Sequence, residues 1–540
     1  MPASHEVLCD VKSYIQPFER ILAQLELEAV AGAVPTPEAS GDMQPVTYAV
    51  STDCPSSRLV NRLAYWERVH EKGNSSAGQL TRQVRWEATV QLARNGLTPT
   101  RVQALAPFVA DLPIPNHRAL RYGPHGIHEY RGKFFPQLVR ALLNIAAVDP
   151  GSVVLDPMCG SGTTPVEAIL LGCRAVAMDI NPLSLLMTRA KCEILSTPAD
   201  ELVAEYQSLR ADLLSHNPAS QSSLPWLENL PRHDQDYLSR WFAPDVLDQC
   251  DPIAVRVHGT SHPACRSLFR ASLSNILRGI SWQKNDDLRV RKEVQPNREV
   301  DVVNEFLTEV AGAVTSILAF SCENNDLKLK PAQILSGDAR RSNILLSGLA
   351  GRVDAIVTSP PYATALPYID TDRLSLSYLG LLPRSQHRGR EQQMIGNREI
   401  SKKHRMGYWE EYENHRTALP ESITRLIDRI ERLNRSTDVG FRRRNVPPLL
   451  ARYFLDMGEV FRAFLGLLRT GAPAYVVVGN NHTFAGGERI DIETHDLLAQ
   501  LGESVGLSLD DSVQMQMLTS RDIFKKNTGN SETILMFRRP

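Results

Sequence analysis

Apolar positions in "SSRLVNRLAYWERVHEK" (56–72) and "RVQALAPFVADL" (101–112) recur mostly at three- and four-residue spacing. That period predicts a helical N-terminal unit. Residues 1–55 show mixed patterning, and "AVPTPEASGDMQPVT" (33–47) has the composition of a linker or loop. The pattern changes after residue 126. An apolar stripe over about 136–147 predicts a helix, "SVVLD" a short β-branched strand, and "PVEAILLG" a second helix. "RAVAMDINP" then predicts a second strand ending in an acid. Strand, glycine loop, helix, strand is the opening of a doubly wound α/β sheet.

The alternation breaks twice. Residues 195–330 carry helical spacing throughout, as in "LFRASLSNILRGISW" and "EVDVVNEFLTEVAGAVTSILAF". Strands are predicted again in "AQILSGDA" (332–339) and "VDAIVTS" (353–359). An arginine-rich stretch, 371–450, separates these from a helix at 454–471 and a strand at 474–480. Two hairpin-like pieces, "DSVQMQML" and "ETILMFRR", close the chain. The expected division is an N-terminal mostly helical region (1–112), a first sheet segment (113–194) and a helical insertion (195–330). A second sheet segment (331–370), a basic insertion (371–450) and a final sheet segment (451–540) complete it.

At 540 residues, several folding units are expected. Hydrophobic residues make up 42% and charged residues 22%, the balance of a soluble globular chain. A net charge of -1 points to no nucleic-acid partner, so local charge must carry that argument. The longest apolar run, "VAGAVTSILAFSC" (310–322), falls short of the roughly 18 residues that span a bilayer and reads as a buried helix. No membrane association is expected. The N-terminus lacks an apolar signal core, and the eight cysteines include no CxxC pair. Neither a disulfide framework nor a metal site follows from their spacing, and a reducing, cytoplasmic setting fits them.

Chemistry concentrates at the strand ends. In "LDPMCGSGTT" (155–164), Gly160 and Gly162 allow backbone to approach a ligand where the loop opens onto a helix N-terminus. Asp156 stands where a carboxylate can meet an ammonium group. Asp179, in "MDINP", stands where an acid receives ribose hydroxyls in nucleotide-binding sheets, or else caps the following helix. Asp338, in "SGDA", ends a third strand, either as a ligand contact or as a turn residue. "SPPY" (359–362) ends the fourth, on the same sheet edge. Its proline pair fixes the backbone, so that carbonyls and the Ser359 hydroxyl can accept hydrogen bonds from an exocyclic amine. The Tyr362 ring can stack on the base that bears it. The plainer alternative is a rigid turn packed by Tyr362.

In this order, "DPMCGSGTT", "MDINP" and "TSPPY" resemble motifs I, II and IV of the amino-group S-adenosylmethionine-dependent DNA methyltransferases, and "HEYRGKFFPQLV" (128–139) is similar to their motif X. The resemblance implies a Rossmann-like methyltransferase sheet carrying the helical N-terminal unit and two insertions. It also implies S-adenosylmethionine as cofactor. Lys133, Phe134 and Pro136 of motif X would flank that cofactor. Asp156, Pro157, Cys159 and the loop Gly160, Ser161, Gly162, Thr163 and Thr164 would hold its methionine part. Asp179, with Asn181 and Pro182 behind it, would take the ribose, and Asp338 the adenine amine. Ser359, Pro360, Pro361 and Tyr362 would form the catalytic acceptor pocket. A serine before PPY is commoner in the cytosine-N4 members, which implies N4-methylcytosine as the product. Adenine-N6 methylation is the alternative, followed by an RNA base methyltransferase and a non-catalytic DNA-recognition subunit.

The implied partner is double-stranded DNA with the target base flipped out, and the resemblance leaves room for a restriction or defence-system partner. "RSQHRGREQQMIGNREISKKHR" (384–405) holds seven Arg/Lys against two Glu, and "FRRRN" (441–445) lies nearby. These runs are candidate phosphate contacts or, equally, a solvated face. The polar "DIFKKNTGN" (522–530) is a weaker candidate.

Overall fold

The computed structural model describes residues 4–38, 47–73, 78–94, 97–105, 112–130, 132, 134–215, 223–284, 291–295, 297–324, 326–327, 329–363, 367–398, 400–436, 440–516 and 531–540. Among the described residues the N-terminal region holds four helices, but it also holds a sheet that the spacing did not announce. It is built on a five-stranded antiparallel sheet of β1 (His5–Val11), β2 (Thr36–Pro37), β3 (Thr47–Thr52), β4 (Trp66–Glu71) and β5 (Gln79–Leu80). In β1 every second residue is buried, a period of two too short to stand out from neighbouring helical spacing. The stretch 56–72, whose spacing is mostly helical, is a short helix, Ser56–Arg62, followed by β4.

The main sheet has seven strands: β6 (Val153–Asp156), β7 (Arg174–Asp179), β8 (Gln333–Ser336), β9 (Ala355–Thr358) and β10 (Pro473–Gly479), then β13 (Ser508–Gln516) and β14 (Ser531–Arg538). A separate hairpin, β11 (Asn481–Ala485) and β12 (Glu488–Ile492), intervenes. The strand order is β13-β14-β10-β9-β6-β7-β8. Strands β8 to β10 run parallel through β7, β6 and β9, while β14 pairs antiparallel with both β10 and β13. The late hairpin-like pieces therefore do pair, and residues 522–530 lie outside the described residues.

Both sheet faces are apolar because successive residues serve opposite cores. Val154, Ala175, Val357 and Val477 pack towards the N-terminal region. Their neighbours Leu155, Val176, Ile356 and Val476 pack beneath the helix Val446–Leu467. Continuous β-branched runs are what a sheet covered on both faces requires. The N-terminal region shares the first of these cores. A buried network also ties it down: Arg140 donates to Glu167 at 3.0 Å and to the Arg62 carbonyl at 2.9 Å, with its guanidinium 4.5 Å over the Trp86 ring.

The first insertion is helical, as its spacing implies. The stretch "EVDVVNEFLTEVAGAVTSILAF" forms the 20-residue helix Val302–Ser321, as its spacing implies. By length and composition that helix could cross a membrane, yet Phe306, Val310, Val314 and Phe320 are wholly buried in the protein core. The second insertion ends earlier than residue 450, since Val446 already begins the long helix.

Candidate functional site

Each motif sits where a parallel strand stops. The chain leaves β6 at Asp156 and turns through Gly160 and Gly162, both at positive φ (48° and 81°). Glycine is needed at both for space as well as for backbone conformation. A Cβ on Gly160 would stand 3.0 Å from the Tyr130 ring, and one on Gly162 would stand 2.9 Å from the Thr188 Cα. The helix Thr163–Leu170 follows.

One cleft gathers Phe134, Asp156, Pro157, Cys159, Gly160, Ser161, Thr163, Asp179 and Asp338 with the whole turn Ser359, Pro360, Pro361 and Tyr362. It holds ≈ 930 Å³ of empty space, part of it open solvent. Four strand ends thus converge on one sheet edge, the crevice position expected of a doubly wound sheet.

The Asp156 carboxylate accepts the Thr358 hydroxyl (2.8 Å) and the Met158 N–H (3.2 Å). Burial outweighs these bonds and pushes its pKa up to about 7. Asp179 clamps the loop, accepting the Gly160 N–H at 2.9 Å and the Asn181 N–H at 2.8 Å, and burial raises it to about 6. It is not the helix cap. Asn181 is, accepting the Leu183 N–H ahead of the helix Pro182–Glu193. Asp338 faces the cleft but is gripped by Arg340, which also donates to Asp456 at 2.7 Å and to the Gln393 carbonyl at 2.9 Å.

Five expected cofactor residues do not line the cleft in this way. Pro136 starts the helix Pro136–Ile145, Gly162 packs on Thr188, and Thr164 donates to the Val357 carbonyl at 3.2 Å. Asn181 and Pro182 initiate the helix behind Asp179. These are supports, because a loop held close to a ligand must itself be held from behind. Lys133 lies outside the described residues.

On the acceptor side, the Ser359 hydroxyl donates to the Val477 carbonyl at 3.1 Å, and the Tyr362 hydroxyl donates to Glu532 of β14. The Tyr362 ring lies against Gly479, where a Cβ would come within 2.8 Å.

Sequence reasoning missed several walls of the cleft: Tyr130, Met158, Tyr368, Gln393, Met394 and Ile395. Tyr130 was within reach, because it sits inside the motif resembling motif X. The 393–395 wall carried no local signal. It is positioned by Arg340 and by Arg452, which donates to the Gln392 carbonyl at 2.5 Å. The hairpin β11–β12 was also missed, although "AGGE" signals it, with Gly486 and Gly487 both at positive φ.

The basic run is turned inward in part. Arg384 donates its backbone N–H to Asp234 at 3.0 Å and stacks 4.8 Å from the Tyr237 ring centroid. Arg390 donates to the Ile180 carbonyl at 2.7 Å. Arg388, Lys402 and Lys403 are exposed. A stretch expected as phosphate contacts or as a solvated face therefore spends two of its first three arginines on internal packing.

Residues 128–206 match the family described as UPF0020: RMKL-like, methyltransferase domain. Type II methyltransferase M.MvaI of Kocuria varians is 28% identical over 273 residues, 48% of this chain and 58% of that protein. Type II methyltransferase M.BsoBI of Geobacillus stearothermophilus is 22% identical over 422 residues, 71% of this chain and 78% of that one. The chain carries a methyltransferase domain related to those of Type II DNA methyltransferases. Over a shorter span, 50 residues or 9% of the chain, it is 44% identical to the tRNA (guanine(10)-N2)-dimethyltransferase of Methanocaldococcus jannaschii, covering 14% of that enzyme. The match to M.MvaI spans little more than half of that protein's length.

Proposed function

We propose that this methyltransferase transfers a methyl group from S-adenosylmethionine to the exocyclic N4 amine of cytosine in DNA. The observation that carries it is the convergence of glycine loop, strand-end carboxylates and SPPY turn in one cleft. The residues fit such a cofactor. Gly160 leaves a cradle that a Cβ would fill, and the buried Thr163 hydroxyl lines the cleft without a protein partner. When bound, the cofactor supplies an electrophilic methyl on a sulfonium sulfur. Asp156 would hold the methionine ammonium, Asp179 the ribose hydroxyls and Asp338 the adenine amine.

On the opposite wall, Ser359 has given its only proton to Val477, so its oxygen is left as an acceptor. Pro360 and Pro361 carry no N–H, so at these two positions the turn offers carbonyl acceptors only. An acceptor set of this kind holds the hydrogens of an amine and turns its lone pair out of conjugation with the base ring, towards the electrophile. Tyr362, its hydroxyl tied to Glu532, keeps its ring available for stacking. Catalysis is then positioning and exclusion of water rather than covalent attack by the protein. A paired base cannot enter such a cleft, so the base is extruded from the DNA duplex.

Ser359 favours cytosine over adenine by the family tendency stated above. The 50-residue similarity to a tRNA methyltransferase favours RNA as the second reading. Incubation with methyl-labelled cofactor and duplex DNA or structured RNA, followed by nucleoside mass spectrometry, separates them. N4-methylcytosine is expected. N6-methyladenine, or methylation of RNA alone, would refute the proposal.

A further inference from the structure

The hairpin β11–β12 leaves the sheet at the acceptor turn itself. Gly479, under the Tyr362 ring, precedes it by two residues, and the Asn481 side chain donates to the Ala363 carbonyl at 2.8 Å. Its inner face, Ala485, Ile490 and Ile492, is buried, and Gly486 abuts Leu433 of the helix Glu421–Arg435. The outer face is exposed: Phe484 stands opposite Arg489, and His482 opposite Asp491. Phe484 is 43% exposed, with the His482 ring edge-on at 6.0 Å.

The short helix Phe441–Arg444 packs beside β11 and adds a second exposed aromatic, Phe441 (55%), followed by three exposed arginines. The carboxylates of the hairpin are already engaged, Glu488 by Arg429 (3.2 Å) and Asp491 by Arg489 (2.8 Å). Aromatic rings set among arginines are the composition of a nucleic-acid contact. Five residues of extended chain reach at most about 17 Å, so Phe484 lies within that distance of Gly479. That is at most about five base steps at about 3.4 Å per step.

We propose that the outer face of this hairpin, with Phe441–Arg444, holds the DNA flanking the extruded base. The inference rests on the DNA methyltransferase reading and adds a contact surface to it, outside the basic run 384–405. The test is binding of a fluorescent duplex oligonucleotide to the full chain, with cofactor affinity and melting temperature measured alongside. Phe484→Ala should weaken duplex binding roughly 5- to 100-fold, as for a lost apolar wedge against the duplex, and Phe484→Trp should retain it. Arg442→Ala with Arg443→Ala should lower the slope of log K against log salt by about 2, the equivalent of two phosphate contacts. Cofactor affinity should be unchanged in all three. Normal duplex affinity for Phe484→Ala together with an unchanged salt slope for the double variant would overturn the inference while leaving the methyltransferase reading intact. Failure of the unaltered chain to bind duplex, with methylation confined to RNA, would overturn the reading and the inference with it.

Discussion

Asp179→Asn separates cofactor binding from folding. In the fold the carboxylate accepts two backbone N–H groups, from Gly160 and Asn181. An amide has one acceptor oxygen, so either orientation leaves one of those donors unpaired, at a cost of about 1–3 kcal/mol. The substitution also removes a buried charge. Burial raises the Asp179 pKa from 3.8 to about 6, and at roughly 1.4 kcal/mol per unit the ionised form costs about 3 kcal/mol at neutral pH. The two terms oppose each other and are similar in size, so stability near pH 7.5 should change by no more than about 2 kcal/mol. Cofactor affinity has no such offset. Losing charge-assisted bonds to the ribose should cost about 1.5–3 kcal/mol, a loss of about 10- to 150-fold. Titration calorimetry with S-adenosylmethionine reads the first quantity and denaturant unfolding the second. Wild-type affinity in the variant would remove Asp179 from the cofactor site. A large stability loss with proportionate loss of binding would make it a structural clamp only.

Stability and cofactor affinity should respond oppositely to pH. Asp156 and Asp179 both have folded pKa values raised above 3.8, so their contribution to stability is fully present below about pH 4 and is lost as pH rises through about 6 and about 7. Binding of a cationic, hydroxyl-bearing cofactor needs them ionised and should strengthen over the same interval; calorimetry showing a flat profile from pH 5.5 to 8 would contradict this. Gly162→Ala should destabilise the protein by about 2–4 kcal/mol, combining a positive φ of 81° with approach to the Thr188 backbone, and a melting temperature within a degree of wild type would refute the packing described. Tyr362→Phe frees Glu532 but keeps the ring, and should retain most methyl transfer, whereas Tyr362→Ala should lose about 1–3 kcal/mol of stacking at the acceptor. Equal activity of the two variants, read as methylated nucleoside, would reduce the turn to a structural corner.

What could be read in the chain alone was local. The apolar runs at 153–156, 174–179, 355–358 and 473–479 announce strands, and the residues ending them announce a loop that tolerates positive φ, an acid or a rigid proline turn. These properties belong to single residues and their immediate neighbours, so the seven-stranded sheet and much of the cleft were legible. The N-terminal sheet was not, because its strands are only half-buried and so carry no continuous apolar run, and they pair across up to 64 residues, as Val7 does with Glu71. Side-chain partnership was equally hidden. Asp179 acts as a clamp on Gly160, Asn181 as the cap, and Arg340 as the residue holding both Asp338 and the wall at Gln393, through contacts up to 116 residues apart. The inward turn of Arg384 and Arg390 depended on Asp234 and Ile180, some 150 and 210 residues away. Spacing specifies which face a side chain occupies, while the partner it meets there depends on how distant segments pack, and only the tertiary structure decides that.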